Sequence, residues 1–157
     1  MPANLSDISK KRARLETDIK ACEDAVKKLD TMLGKFVMEW KTIYNGLIEG
    51  KKDIEEMEKQ LPASKNTWKQ MLGRLQPIKG KVEAVGPQAE SMQKTLEKIQ
   101  AEAKKVAAEV PKAGGDLKDL KSEADALKSI DRVCERLWTD FNRIKQDANG
   151  LAPDPKL

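Results

Sequence analysis

Residues 5–61 decide the fold, and they read LSDISKKRARLETDIKACEDAVKKLDTMLGKFVMEWKTIYNGLIEGKKDIEEMEKQL. Alternating steps of three and four residues meet an apolar side chain almost throughout, and only Arg12 and Gly50 interrupt this seam. A 3.5-residue period sustained over so long a stretch is typical of a helix packed in a coiled coil. Asn4 is placed to cap this helix, and Pro62 ends it because the residue before a proline avoids helical angles.

Two further seams follow the first one. The second is apolar at every a and d position from Trp68 to Val110, and the third runs over residues 117–148. We therefore predict helices over about 5–61, 64–110 and 116–149, with Ser64 and Asp116 as the caps of the second and third helices and a flexible tail at 150–157. Prolines 77 and 87 are expected to kink the second helix. Short connections make neighbouring helices antiparallel, so the predicted fold is all-α, an elongated antiparallel three-helix bundle or coiled coil (up-down-up) forming one domain over 1–157.

Tight turns between these helices predict a register. The second helix would end opposite Leu15, and the third would run back only to the region of Pro77. Residues 1–15 and a tip made of residues 47–76 would then be incompletely covered. In the same register Cys22 and Cys134 would lie about 11 residues, or roughly 16 Å, apart along the bundle. They are therefore predicted to be buried free thiols, with an internal disulfide excluded.

The chemistry of catalysis is absent from the sequence. No histidine occurs, which removes the usual general base and the commonest metal ligand. The sequence contains no glycine-rich phosphate loop, no EF-hand loop and no GxSxG elbow. Carboxylates such as Glu55 and Glu56 lie among Lys and Arg, as on a solvated helix face. We predict a protein that is not an enzyme, with no catalytic residues, no cofactor and no metal.

The N-terminal residues lack the apolar core of a signal peptide, and no apolar run approaches the roughly 20 residues that span a bilayer. A cytoplasmic location is therefore expected. The chain ends Pro155-Lys156-Leu157, which differs from the Ser-Lys-Leu peroxisomal address at its first residue, so chance is the simpler explanation.

The surface charge is uneven. Residues 62–110 carry nine bases and five acids and account for the whole net charge of +4, and residues 62–82 hold five bases and no acid. This segment also contains Trp68, a residue type preferred at interfaces, and no third helix is expected to cover it. The predicted partner-binding residues combine apolar anchors with a basic rim. They are Lys65, Trp68, Lys69, Met71, Arg74 and Leu75.

These observations favour a non-catalytic helical module for protein–protein interaction, acting as an adaptor, an assembly component or an inhibitor. It would bind a different protein or a second copy through its helix faces or the tip at 47–76. The alternative is a membrane-surface or membrane-active protein that uses amphipathic helices and the basic segment 65–81. Narrow seams with charge of both signs outside them favour helix partners over lipid. A net charge of +4 is modest and no nucleic-acid-reading motif occurs, so nucleic acid is disfavoured as a partner.

Overall fold

The computed structural model describes residues 4–57 and 62–157, and it confirms the predicted all-α three-helix bundle. The helices are α1 (Leu5–Glu56), α2 (Pro62–Glu109) and α3 (Leu117–Ala148), and a 3₁₀ turn at Val110–Lys112 follows α2. No strand occurs in the described residues. The helices contribute to two compact units, one made of Met1–Lys28 and Ala89–Arg143, the other of Leu29–Gln88 and Ile144–Leu157. One domain over 1–157 stays a prediction.

The predicted seams form the core. Within the described chain, every buried Ala, Val, Ile, Leu, Phe, Trp and Cys lies at a predicted seam position. The one buried polar side chain there is Gln93, which is 3% exposed, and its Nε2 donates to the carbonyl oxygen of Trp138 at 3.1 Å. This bond offsets part of the cost of burying an amide. Heptad spacing thus identified the helical side chains that are removed from water, but the seam positions Met57 and Leu117, at the ends of their seams, are exposed.

Two of the predicted caps are confirmed. The side-chain oxygen of Asn4 accepts from the backbone N–H of Asp7 at 2.9 Å, and that of Asp116 accepts from Lys118 at 3.0 Å. Both bonds satisfy N–H groups that the first turn of a helix leaves without a partner. The predicted cap at Ser64 is wrong, because α2 already begins at Pro62, where the missing N–H of proline costs nothing.

The first helix is shorter than its seam. It ends at Glu56 instead of residue 61; Met57 is not helical, and the predicted continuation over 58–61 lies outside the described residues. The shorter helix changes the register. Trp68 lies against Gly50, and Lys11 pairs with Glu109 at 3.3 Å, so the contacts of α2 on α1 lie about one heptad nearer the α1 N-terminus than predicted.

This shift covers the N-terminal end of α1. Ile8 and Leu15 are buried, and Leu5 lies against Gly115 in the connection before α3. The expectation that residues 1–15 would be incompletely covered is therefore wrong for the described residues from Asn4 onward. The connection after α2 returns to the level of Leu5 instead of Leu15, because α2 reaches farther along α1.

Arg12 interrupts the apolar seam because it forms an ion pair inside the bundle. Its Nε donates to Glu123 of α3 at 2.8 Å, and its Nη1 and Nη2 donate to Glu16 at 3.0 Å and Ser9 at 3.2 Å. The Arg12 and Glu123 side chains are mostly shielded from water. The hydrogen bond from Arg12 is the largest cause of the lowered pKa of Glu123, and the pKa of Arg12 is raised reciprocally.

We expect this pair to make stability depend on acid pH. A carboxyl whose pKa is lower in the folded chain stabilises above its unfolded pKa of about 4.3, and that contribution disappears as pH falls through the folded pKa. Glu123→Gln should therefore be less stable than the parent in urea unfolding at pH 7, and the difference should shrink as the medium becomes strongly acidic. Glu97→Gln, an exposed carboxyl on α2, is the control. A Glu123→Gln difference that persists unchanged in acid would contradict the assignment.

Gly50 interrupts the same seam for a different reason. A Cβ atom at Gly50 would lie 3.2 Å from Cδ1 of Trp68, so the missing side chain makes room for the indole. The indole Nε1 donates to the carbonyl oxygen of Leu47 at 2.8 Å, a bond that the close approach permits. Gly50 therefore has a role in the packing of α1 against α2.

Alanine at two glycines of α1 should therefore act in opposite directions. Gly34 has no neighbour within 4 Å of a built Cβ atom, so Gly34→Ala should raise the free energy of unfolding by about 0.5 to 1 kcal/mol through helix propensity. Gly50→Ala gains the same propensity but displaces Trp68, and overpacking costs about 1 to 3 kcal/mol, so we expect a net loss. Urea unfolding of both variants tests this. If both substitutions raise the free energy of unfolding, Trp68 moves aside for the added methyl group without a measurable cost.

Candidate interaction surface

The third helix stops before the hairpin of α1 and α2 ends. A Cβ atom at Gly86 would lie 3.8 Å from Cβ of Ala148, so α3 ends beside Gly86 instead of reaching Pro77 as predicted. From there α1 continues to Glu56 and α2 continues back to Pro62. We call residues 40–57 and 62–82 the hairpin end. Along it, within the described residues, no third helix accompanies α1 and α2.

The C-terminal tail takes the place of the third helix over part of the hairpin end. Leu151 and Ala152 pack against the apolar cluster there, Pro155 is buried, and Asp154 accepts a hydrogen bond from the side-chain amide of Gln76. The tail, predicted to be flexible, thus makes side-chain contacts as far along α2 as Gln76.

The core of the hairpin end holds two of the predicted partner-binding residues. Trp68 is 5% exposed and Leu75 is 0% exposed. They form one buried cluster together with Trp40, Leu47 and Ile54. The expectation that two helices could not hide these side chains is wrong, because Gly50 makes room for the indole, and Leu151 and Ala152 of the tail also pack against the cluster. A partner could reach Trp68 or Leu75 only if this core opened.

The other predicted residues do not form one patch. Arg74 lies nine residues after Lys65, which is two and a half helical turns, so the two side chains leave opposite sides of α2. Met71 is half-buried and lines a groove of about 410 Å³ with Trp68. Arg74 is one heptad beyond Thr67, which lines the same groove. The groove borders Met57, after which the chain leaves the described residues.

Lys65 and Lys69 belong to a different face of α2. Together with Leu72 and Gln76 they follow the spacing four, three, four, and this stripe faces the tail because Gln76 binds Asp154. We call Lys65, Lys69, Leu72 and Gln76 the basic stripe. Lys65 and Leu72 are half-buried and Lys69 is exposed, so apolar and charged atoms are both accessible.

The facing part of α1 completes this surface. Tyr44 stacks on Trp40 with ring centroids 4.6 Å apart, and Trp40 lines the groove that also holds Leu151 and Ala152 of the tail. Lys51, one heptad beyond Tyr44, pairs with Glu55 at 3.9 Å while both side chains remain partly exposed. Sequence reasoning missed Tyr44 and Lys51, although their heptad spacing relative to Trp40 was available as a signal.

Comparisons with protein families, with curated proteins and with solved structures find no significant match to this chain. The described residues contain no helix with the length and apolar character needed to cross a bilayer. They also contain no group of three or more His, Cys, Asp or Glu side chains arranged to hold a metal ion.

Proposed function

We propose that this protein is a non-catalytic interaction module and that the basic stripe, with Tyr44 and Lys51 opposite it, binds an acidic amphipathic helix of another protein. The observation that carries the proposal is the early end of α3 beside Gly86, which leaves α1 and α2 without a third helix beyond the tail. A partner helix would occupy the position that α3 holds elsewhere in the chain.

The charge of the hairpin end supports an acidic partner. Residues 62–82 carry five bases and no acid, whereas residues 40–57 carry three bases and four acids, so the positive charge lies on the α2 side, whose first turn contains no acidic side chain. The N-terminus of a helix adds a partial positive charge of its own. Acidic side chains flanking an apolar seam would pair with Lys65, Lys69 and Lys51 while apolar atoms cover Leu72 and Tyr44.

The size of the surface limits the affinity. The stretch from Pro62 to Gln76 accommodates about four helical turns, or roughly 20 Å of helix. Interfaces of this size fall below the usual 1,200 Å² of stable complexes and are typically weak or transient. We expect a complex of micromolar affinity whose association weakens with salt, since exposed charges are screened beyond about 8 Å at physiological ionic strength.

A membrane surface is the competing partner, because anionic lipid also attracts bases. The apolar side chains on the stripe are half-buried, whereas the large exposed ones of the described chain are spread over α1, the residue after it, α3 and the tail, with none on α2. These are Met38, Ile48, Met57, Leu117, Trp138 and Leu157. A lipid-inserting helix needs such residues together on one face, which favours a helical protein partner.

Fluorescence anisotropy with two designed peptides tests the proposal. One is a labelled 21-residue amphipathic helix with leucine at a and d and glutamate on the flanks, about three heptads long; the other replaces each glutamate with lysine. We expect binding of the glutamate peptide alone, weakened by about tenfold in Lys65→Glu/Lys69→Glu, which is about 1.4 kcal/mol. Lys94→Glu/Lys98→Glu reverses two exposed lysines at the same spacing on α2 and is the matched control.

Each alternative result has a meaning. Equal losses of peptide affinity in both double variants would show that the charge attraction is nonspecific. That result would contradict the assignment of the basic stripe as the binding surface. Co-sedimentation with phosphatidylserine vesicles, together with no peptide binding, would establish the membrane alternative. An absence of binding to both peptides and to vesicles would reject the surface altogether.

A further inference from the structure

Two ion pairs fix the relative level of α1 and α3 in the unit made of Met1–Lys28 and Ala89–Arg143. Arg12 binds Glu123 at 2.8 Å, and the partners are 111 positions apart in sequence. Glu23 binds Arg136 at 3.4 Å, and these partners are 113 positions apart. Because α1 and α3 run in the same direction here, an α1 residue and an α3 residue whose sequence separation lies between 111 and 113 are side by side.

Cys22 and Cys134 have this intermediate offset. Each is 1% exposed and each is a free thiol on the core-facing side of its helix. The pKa of Cys134 is consistent with this proximity. The pKa of Cys134 is raised to about 11 by burial first and then by the neighbouring charges of Asp131 and Cys22. The predicted separation of roughly 16 Å along the bundle is therefore wrong, since it rested on the tight-turn register.

We propose that Cys22 and Cys134 are a paired oxidation site, which a small organic disulfide converts into an intramolecular disulfide that joins α1 to α3. The core holds both thiols at one level on adjacent helices, as a bridge requires. In the described residues no third Cys or His lies with them as in a metal site. The inference does not depend on the proposed partner surface, which lies in the other unit.

The chemistry proceeds in two exchanges. The thiolate of one cysteine attacks a sulfur of the small disulfide, a mixed disulfide forms, and one small thiolate leaves. The thiolate of the second cysteine then attacks the protein sulfur of the mixed disulfide and displaces the other small thiolate. The two protein thiols lose two electrons and two protons, and the small disulfide gains them as two thiols.

Burial sets the rate of this oxidation. The pKa of Cys22 is also raised, by burial first and then by Asp18, so thiolate is scarce at neutral pH. Access to the buried sulfurs requires local opening of the bundle. We expect oxidation over hours at pH 7, with a rate that increases about tenfold for each pH unit below the thiol pKa.

The test treats the native full chain with excess oxidised glutathione at pH 8.5, followed by acid quenching, alkylation and intact mass measurement. The expected product is a monomer that has lost two hydrogen atoms, and its tryptic map should contain a linked peptide pair that holds Cys22 and Cys134. The oxidised chain should also unfold at a temperature about 5 to 15 °C higher, because the bridge closes a loop of about 110 residues.

Cys22→Ala is the matched control and should accumulate one glutathione adduct at Cys134 with no internal link; Cys134→Ala should do the reverse. If either variant unfolds, the parent chain alone still decides the outcome. Native chains that carry two glutathione adducts, that link to each other, or that stay reduced while the urea-unfolded chain oxidises would overturn the proposal.

Discussion

Replacing Trp68 with alanine is expected to lower the free energy of unfolding by about 3 to 5 kcal/mol, the range for large aromatic residues removed from a core. The indole is 5% exposed, packs beside Gly50 and donates a hydrogen bond to the carbonyl oxygen of Leu47. Alanine removes that contact area and the donor, and leaves a cavity between α1 and α2. Urea unfolding followed by far-ultraviolet circular dichroism measures the change.

Trp138→Ala is the matched control, because this indole is 39% exposed and makes no side-chain hydrogen bond with the described residues. We expect it to cost less, about two thirds as much if the cost is proportional to the area removed from water. A loss below about 1 kcal/mol for Trp68→Ala, accompanied by weaker binding of the acidic peptide, would instead support the role of Trp68 as a contact anchor.

Leu75→Ala is expected to cost about 2 to 5 kcal/mol of stability, the range for leucine truncation in a close-packed core. Leu75 is 0% exposed and belongs to the same cluster as Trp68, Leu47 and Trp40. The side chain cannot contact a partner while this core is intact. The variant should therefore bind the acidic peptide like the parent under conditions where it remains folded.

Leu117→Ala is the control for this second substitution. Leu117 is 83% exposed in the first turn of α3, so the same truncation there should change the free energy of unfolding by no more than about 0.5 kcal/mol. Equal effects at Leu75 and Leu117, measured in urea, would contradict the assignment of Leu75 to the core.

The candidate surface could be predicted only in part. The absence of acids over residues 62–82 identified the basic segment, and Lys65 and Lys69 remain within the proposed stripe. Trp68 and Leu75 were predicted as exposed anchors because interface preference and core preference use the same residue types. Only the packing of Trp68 into the space left by Gly50 separates the two possibilities. The sequence contained no signal that the tail would pack against the hairpin end, because this packing depends on where α3 ends.

The sequence by itself determined the three helices, two of their caps and the buried apolar side chains of those helices, because a 3.5-residue period specifies which face of a helix leaves water. It could not determine how the helices align along one another. A seam that repeats every seven residues is unchanged by a slip of one heptad, so each such register buries the same residues.

Tertiary structure decided the alignment through features that do not repeat: the end of α1 at Glu56, the fit of Trp68 to Gly50, and the pairing of Arg12 with Glu123. In the resulting alignment Cys22 is level with Cys134, and the end of α3 lies beside Gly86. Charge pairing and steric fit discriminate between registers that hydrophobic burial alone leaves equal in energy.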